Sequence, residues 1–153
     1  MNKVNTLTKF VFLTPAYNCK ESIKQTIMTM VSQSYDNWRA IVIDDVSTDD
    51  TGVYVKDLVT KLGCEDRFDV IRRDEKFGEV RNTVSCIADI DDEEVVVRLD
   101  GGDWLTENDC LHMLNMVYSN HDPAVCWTGQ RWAYTNYGIS KEMSLKPNQS
   151  VYE

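Results

Sequence analysis

Paired cysteines, basic clusters and long apolar runs are all missing from this 153-residue sequence. Its five cysteines are odd in number and widely spaced, and they form no C-x-x-C pair. That argues against a disulfide framework or a zinc site and for reduced thiols. Cys86, Cys110 and Cys126 fall inside apolar patterns and read as core residues. No run has the length to cross a bilayer, and the polar start has no signal-peptide core. The expectation is therefore a cytoplasmic protein with no transmembrane segment. With 16 Lys and Arg against 25 Asp and Glu, the net charge is −9. Such a chain lacks the basic face of a general nucleic-acid binder. A nucleotide ligand stays compatible with it, because a divalent cation can supply positive charge locally. His112 and His121 have no partner at metal-ligand spacing.

What is present is an alternation of short apolar runs and longer amphipathic ones. Strands are expected over 9–14, 38–44, 67–72, 94–99 and 124–134. Helices are expected over 21–32, 50–62, 78–90 and 107–119, the last with Thr106 as N-cap and Glu107 and Asp109 in its first turn. In the third helix Val80, Val84, Ile87 and Ala88 share one side, the expected inward stripe. The order predicts an α/β fold with a mainly parallel sheet flanked by helices. The core is expected to run over 1–134, with 135–153 as a C-terminal loop or arm.

Ligands of such sheets bind at the carboxyl ends of the strands. Three of those ends carry polar clusters: T-P-A-Y-N at 14–18, D-D-V-S-T-D-D-T at 44–51 and D-G-G-D-W at 100–104. A tyrosine face can stack on a nucleobase, by analogy with base–aromatic stacking at roughly 1–3 kcal/mol. A carboxylate can accept from a base imino group. A second acid cluster can hold Mg²⁺ or Mn²⁺ against a pyrophosphate, and adjacent glycines let phosphates approach the backbone. Each piece has a plainer reading: Ser47, Thr48 and Asp49 suit a helix cap, and Asp44 suits a solvated turn.

The blocks F-L-T-P-A-Y-N, S-Q-S-Y-D-N-W-R-A-I-V-I-D-D-V-S-T-D-D-T, G-E-V-R-N and V-V-V-R-L-D-G-G-D-W-L, in this order, resemble family 2 glycosyltransferases of the GT-A, Rossmann-like fold. The resemblance implies transfer of a sugar from a nucleotide-diphosphate donor, most simply a UDP-sugar, to a carbohydrate or other hydroxyl acceptor. It implies Mn²⁺ or Mg²⁺ as cofactor. It places Pro15, Ala16 and Tyr17 around the nucleobase, with Asp45 hydrogen-bonding the base and Asp44 supporting it. Arg81 would lie near the nucleotide or sugar. Asp100 would sit close to the ribose and metal, with Asp103 as second metal ligand. Homo-oligomer formation stays open.

Two departures stand out. The family usually reads D-x-D-D where this chain reads Asp100-Gly101-Gly102-Asp103, so glycine replaces the acid nearest the metal. The spacing from Gly78 to Arg81 is also shorter than usual. Beyond Asp103 neither Glu142 nor Glu153 has the surroundings of a catalytic base. The rival expectation is a non-catalytic nucleotide-binding module that lacks the acceptor half and the base. A sugar nucleotidyltransferase is a weaker third reading, since T-P-A-Y-N-C-K is not a glycine-rich, basic phosphate loop.

Overall fold

A computed structural model describes residues 7–121, 123–126 and 128. The chain divides into two compact units, Met1–His121 and Asp122–Glu153. The elements below all belong to the first. The expected strand over 124–134 and the arm over 135–153 lie almost wholly outside the described residues.

Strand β1 (Lys9–Ala16) is followed by helix α1 (Ile23–Val31), β2 (Trp38–Asp44) and α2 (Thr51–Leu62). After a 3₁₀ turn (Glu65–Arg67) come β3 (Phe68–Arg72), α3 (Glu79–Ile87), β4 (Glu94–Arg98) and α4 (Cys110–His121). The sheet order is β3-β2-β1-β4, and every pairing is parallel. The carboxyl ends of all four strands therefore lie along one edge.

Alternation along β1 and β2 explains their continuous apolar runs, because both faces are covered. Phe10, Phe12, Ala40 and Val42 pack with Ile23, Ile27 and Met30 of α1, Val55 and Val59 of α2, and Leu111 of α4. Val11, Leu13, Ile41 and Ile43 pack on the opposite face with Cys86 of α3. Burying each large side chain is worth about 1.5–3 kcal/mol, so the two central strands anchor the fold. Trp38 packs edge-on against Phe12 and Phe68.

Two expectations fail. The apolar stripe of α3 faces outward: Val80, Val84, Ile87 and Ala88 are exposed, and Asn82 and Cys86 face in. The cause is Arg73, which enters the space beneath the helix and bonds Asn82 Oδ1 (3.0 Å) and Ser85 Oγ (2.6 Å). A cation there needs polar partners, so the helix turns its polar side to it. Helix α4 begins at Cys110, and Thr106 does not cap it. Buried Gln33 bonds the Glu107 carbonyl (2.8 Å) and accepts from the Leu111 N–H (3.1 Å), while Ser34 N–H bonds the Asn108 carbonyl (2.8 Å). Those carbonyls are claimed by the α1–β2 turn, and the Gln33 amide does the capping.

Candidate functional site

The three polar strand ends are tied together by backbone. Ala16 pairs with Asp44 in register, Asp45 N–H donates to the Ala16 carbonyl (3.0 Å), and Gly101 N–H donates to the Pro15 carbonyl (2.9 Å). The T-P-A-Y-N segment is thus flanked by Asp45 on one side and by the D-G-G-D turn on the other. Ala16 is buried, and Tyr17 is half-exposed.

The loops after β1 and β2 form one wall. Asn18 N–H donates to Ser47 Oγ (3.0 Å), Cys19 N–H to Thr51 Oγ1 (3.1 Å) and Lys20 N–H to Asp49 Oδ2 (3.0 Å). In return Asn18 Oδ1 accepts from Thr48 N–H (2.8 Å). The hydroxyl of Thr51 and the N–H of Lys20 hold the Asp49 carboxyl below the ordinary range. Ser47 and Thr48 therefore fasten the neighbouring loop, a role that no sequence period announces. An open recess of about 410 Å³ adjoins this wall, lined by residues such as Cys19, Ser22 and Asp49.

Asp44 is engaged by the segment that follows it and by Arg72, whose Nε lies 3.9 Å from Oδ2. Its Oδ1 accepts from Ser47 N–H (2.9 Å) and its Oδ2 from Gly52 N–H (3.2 Å). A Cβ on Gly52 would stand 2.5 Å from that Oδ2, so the position requires glycine. Between the two acids and Ser47 the chain turns sharply, with Val46 at φ 62°. A β-branched residue in the left-handed region is strained.

Asp45 is 5% exposed and faces the β3–α3 loop. Its oxygens accept from Phe77 N–H (2.8 Å) and Gly78 N–H (2.9 Å). Burial opposes its charge, but those N–H groups, the Asn82 amide and Lys76 outweigh it and hold the carboxyl below the usual range. Asn82 Nδ2 lies close enough to Asp45 to favour its charge, though short of full hydrogen-bond geometry. The same loop puts Lys76 Nζ 3.3 Å over the Tyr17 ring. Phe77 lies between the guanidiniums of Arg73 (4.7 Å) and Arg81 (3.7 Å). Arg81 also pairs with Glu75 at 3.7 Å.

At the third strand end Asp100 Oδ1 accepts from Arg98 Nε (3.1 Å), and Arg98 also pairs with Glu79 at the start of α3. Asp103 is exposed, and its N–H donates to the Asp100 carbonyl (2.9 Å). Gly101 is tightly enclosed: a Cβ there would stand 2.8 Å from Cys19 Sγ. Gly102 has φ 108°. Among the described residues no three His, Cys, Asp or Glu side chains gather as a metal cage. Asp100, already bonded by Arg98, and Asp103 share one turn; a hard cation that keeps several waters and also binds substrate phosphates needs only one or two such carboxylates.

The family model "Glycosyl transferase family 2" matches residues 11–149. The chain belongs to glycosyltransferase family 2. It is 30% identical over 131 residues to WfaP of Escherichia coli, a UDP-Glc:α-D-GlcNAc-diphosphoundecaprenol β-1,3-glucosyltransferase, covering 85% of this chain and 46% of that protein. It is 41% identical over 39 residues to TuaG of Bacillus subtilis, a putative teichuronic acid biosynthesis glycosyltransferase, covering 26% of this chain and 16% of that one. Among solved structures it resembles the mannosyltransferase PcManGT of Pyrobaculum calidifontis in complex with GDP-Man and Mn²⁺. That match has TM-score 0.64 and 18% identity and covers 71% of this chain and 32% of the other. It also resembles S. aureus TarS 1–349 in complex with UDP-GlcNAc, with TM-score 0.61 and 19% identity, covering 74% and 32%. The chain thus spans about half the length of WfaP, or less of the others. The parallel sheet and its flanking helices are those of the GT-A fold.

Proposed function

We propose that this chain binds the donor of a glycosyltransferase, a nucleoside-diphosphate sugar and most simply a UDP-sugar, for transfer to a hydroxyl acceptor such as a carbohydrate. The observation that carries the reading is the joining of three strand ends: Asp45 bonded to Ala16, and Gly101 bonded to Pro15, on either side of Tyr17. Tyr17 supplies a stacking face, and Asp45 an ionised acceptor for a base N–H. Asp44 keeps the Asp45 turn in shape through Ser47 and Gly52. Arg81 and Arg98, paired with Glu75, Glu79 and Asp100, join Lys76 in bringing positive charge beside the acids. A Mn²⁺ or Mg²⁺ ion held by Asp100 and Asp103 would offset charge on a departing diphosphate. Core residues 1–134 would house this site in the cytoplasm, and among the described residues no helix is long and apolar enough to cross a membrane.

A second reading is favoured by Gly102: a nucleotide-binding module without turnover. Calorimetric titration with UDP, GDP and CDP, with and without Mn²⁺, separates the two. The donor reading expects one nucleotide to bind tighter with Mn²⁺, and Asp100→Ala to remove the metal effect. Binding indifferent to metal, with no sugar released from any donor, supports the module. Absence of binding by every nucleotide refutes both.

A further inference from the structure

Residues 74–78 lie over both groups that the donor reading assigns to the base. Phe77 and Gly78 hold the Asp45 carboxylate, and Lys76 covers the Tyr17 ring. A nucleobase recognised there needs the same acceptor and the same ring, which Lys76 covers in part. A carboxylate has lone pairs to spare, so the obstacle is access rather than capacity: Asp45 is 5% exposed while the loop stays in place. Beneath the loop Asn82, 1% exposed, sits beside Asp45, and its Nδ2 donor has no acceptor at full hydrogen-bond geometry. A carbonyl beside a ring N–H would give that donor a well-placed acceptor while the N–H meets Asp45.

Resting on the donor reading above, we propose that residues 74–78 are a latch that fills the nucleobase site of the free protein and yields to a base with a ring N–H beside a carbonyl. Uracil and guanine have that edge, and cytosine in a nucleotide does not. The latch ends at Gly78, one residue before α3 starts at Glu79, and points the successive amides of Phe77 and Gly78 at Asp45. The Arg73–Phe77–Arg81 stack steadies it from the other side. Apparent affinity is then the intrinsic affinity reduced by the fraction of molecules with the latch open.

Gly78 offers a way to weaken the latch without touching Asp45 or Tyr17. Its φ of 75° and ψ of 165° are accessible almost only to glycine, and a Cβ there meets nothing within 4 Å. Gly78→Ala therefore strains the closed loop without a clash, and is expected to tighten UDP binding by roughly tenfold. Lys76→Ala, at an exposed side chain that carries no backbone role, is expected to tighten it by about two- to fivefold. Hydrogen exchange on the full chain gives an independent reading: the Phe77 and Gly78 amides are protected in the free protein, lose protection with UDP or GDP, and keep it with CDP. Binding by Gly78→Ala alone also supports the latch. Equal UDP affinity in all three proteins, with both amides protected throughout, overturns the latch and leaves the donor site standing. Failure of every variant to bind UDP or GDP removes the donor reading and the latch together.

Discussion

Replacing Gly102 by aspartate restores the acid that the D-G-G-D turn omits, and it is expected to destabilise the domain before it gains any metal. Gly102 has φ 108°, outside the range that side-chain-bearing residues adopt. Its N–H is fixed on Thr26 Oγ1 (3.0 Å), and Thr26 is fully buried, so the turn has little freedom to relax. Such a strained position costs about 1–3 kcal/mol. The steric part is small. A Cβ would stand 3.0 Å from Ser22 Oγ, a hydroxyl on an exposed side chain that can rotate away from its 3.2 Å bond to the Cys19 carbonyl. For a chain of this size each kcal/mol lowers Tm by about 2–4 °C, so a loss of roughly 2–12 °C is expected in EDTA. Differential scanning fluorimetry across a Mn²⁺ series then reads the second effect. If the new carboxylate joins Asp100 and Asp103, saturation to about a hundred times Kd returns about 2.7 kcal/mol, enough to recover most of the loss. An unchanged Tm in EDTA would refute the strain argument. A loss that Mn²⁺ does not reverse would show that the turn cannot aim an acid at the other two.

Val46→Gly should stabilise the chain by about 0.5–1 kcal/mol, because relief of a left-handed β-branched residue exceeds glycine's added unfolded-state entropy; chemical denaturation measures it, and a loss of stability would count against strain at Val46. Acid should destabilise the fold through Asp45 and Glu94. Glu94 is held below the ordinary carboxylate range first by its paired hydrogen bonds from Arg39 (2.9 and 2.8 Å), and Asp45 by its amide donors despite burial. A depressed folded pKa contributes stability in full above the unfolded value of about 4, and that contribution fades as pH falls below it. Glu94→Gln should therefore lower Tm at pH 7 and flatten its decline between about pH 5 and 3; an acid limb as steep as the wild type's would assign the pH dependence elsewhere.

Much of the scaffold was legible because it depends on local patterns. β2 occurs at the expected residues, and β1, β3, β4 and α2 differ by a residue or two at their ends, since dense β-branched and aromatic runs mark the strands, the central two being buried on both faces. Helix α3 was legible in position and misread in orientation. Its period is real, but the side that faces the sheet was decided by Arg73, a residue of the loop before the helix. The start of α4 was hidden for a similar reason, as Gln33, on a distant turn, bonds the Glu107 carbonyl ahead of the helix and caps its Leu111 N–H. At the site, adjacency followed from strand order, which explains why Pro15, Ala16, Tyr17, Asp45 and Asp100 meet along one edge. The side-chain bonds of Asn18 to Ser47 and Thr48, and of Asp45 to residues 77 and 78, join positions about thirty apart and have no periodic signature.

The mutual fastening of the loops after β1 and β2 has a consequence for how any guest is received. Asn18, Cys19 and Lys20 already have their amides engaged by Ser47, Thr51 and Asp49, so that side of the groove lost its conformational freedom when the chain folded. An incoming molecule meets one bank that is already set and needs to order only the opposite one. Contacts with the set bank count nearly in full toward affinity, and the cost of ordering falls on the other bank.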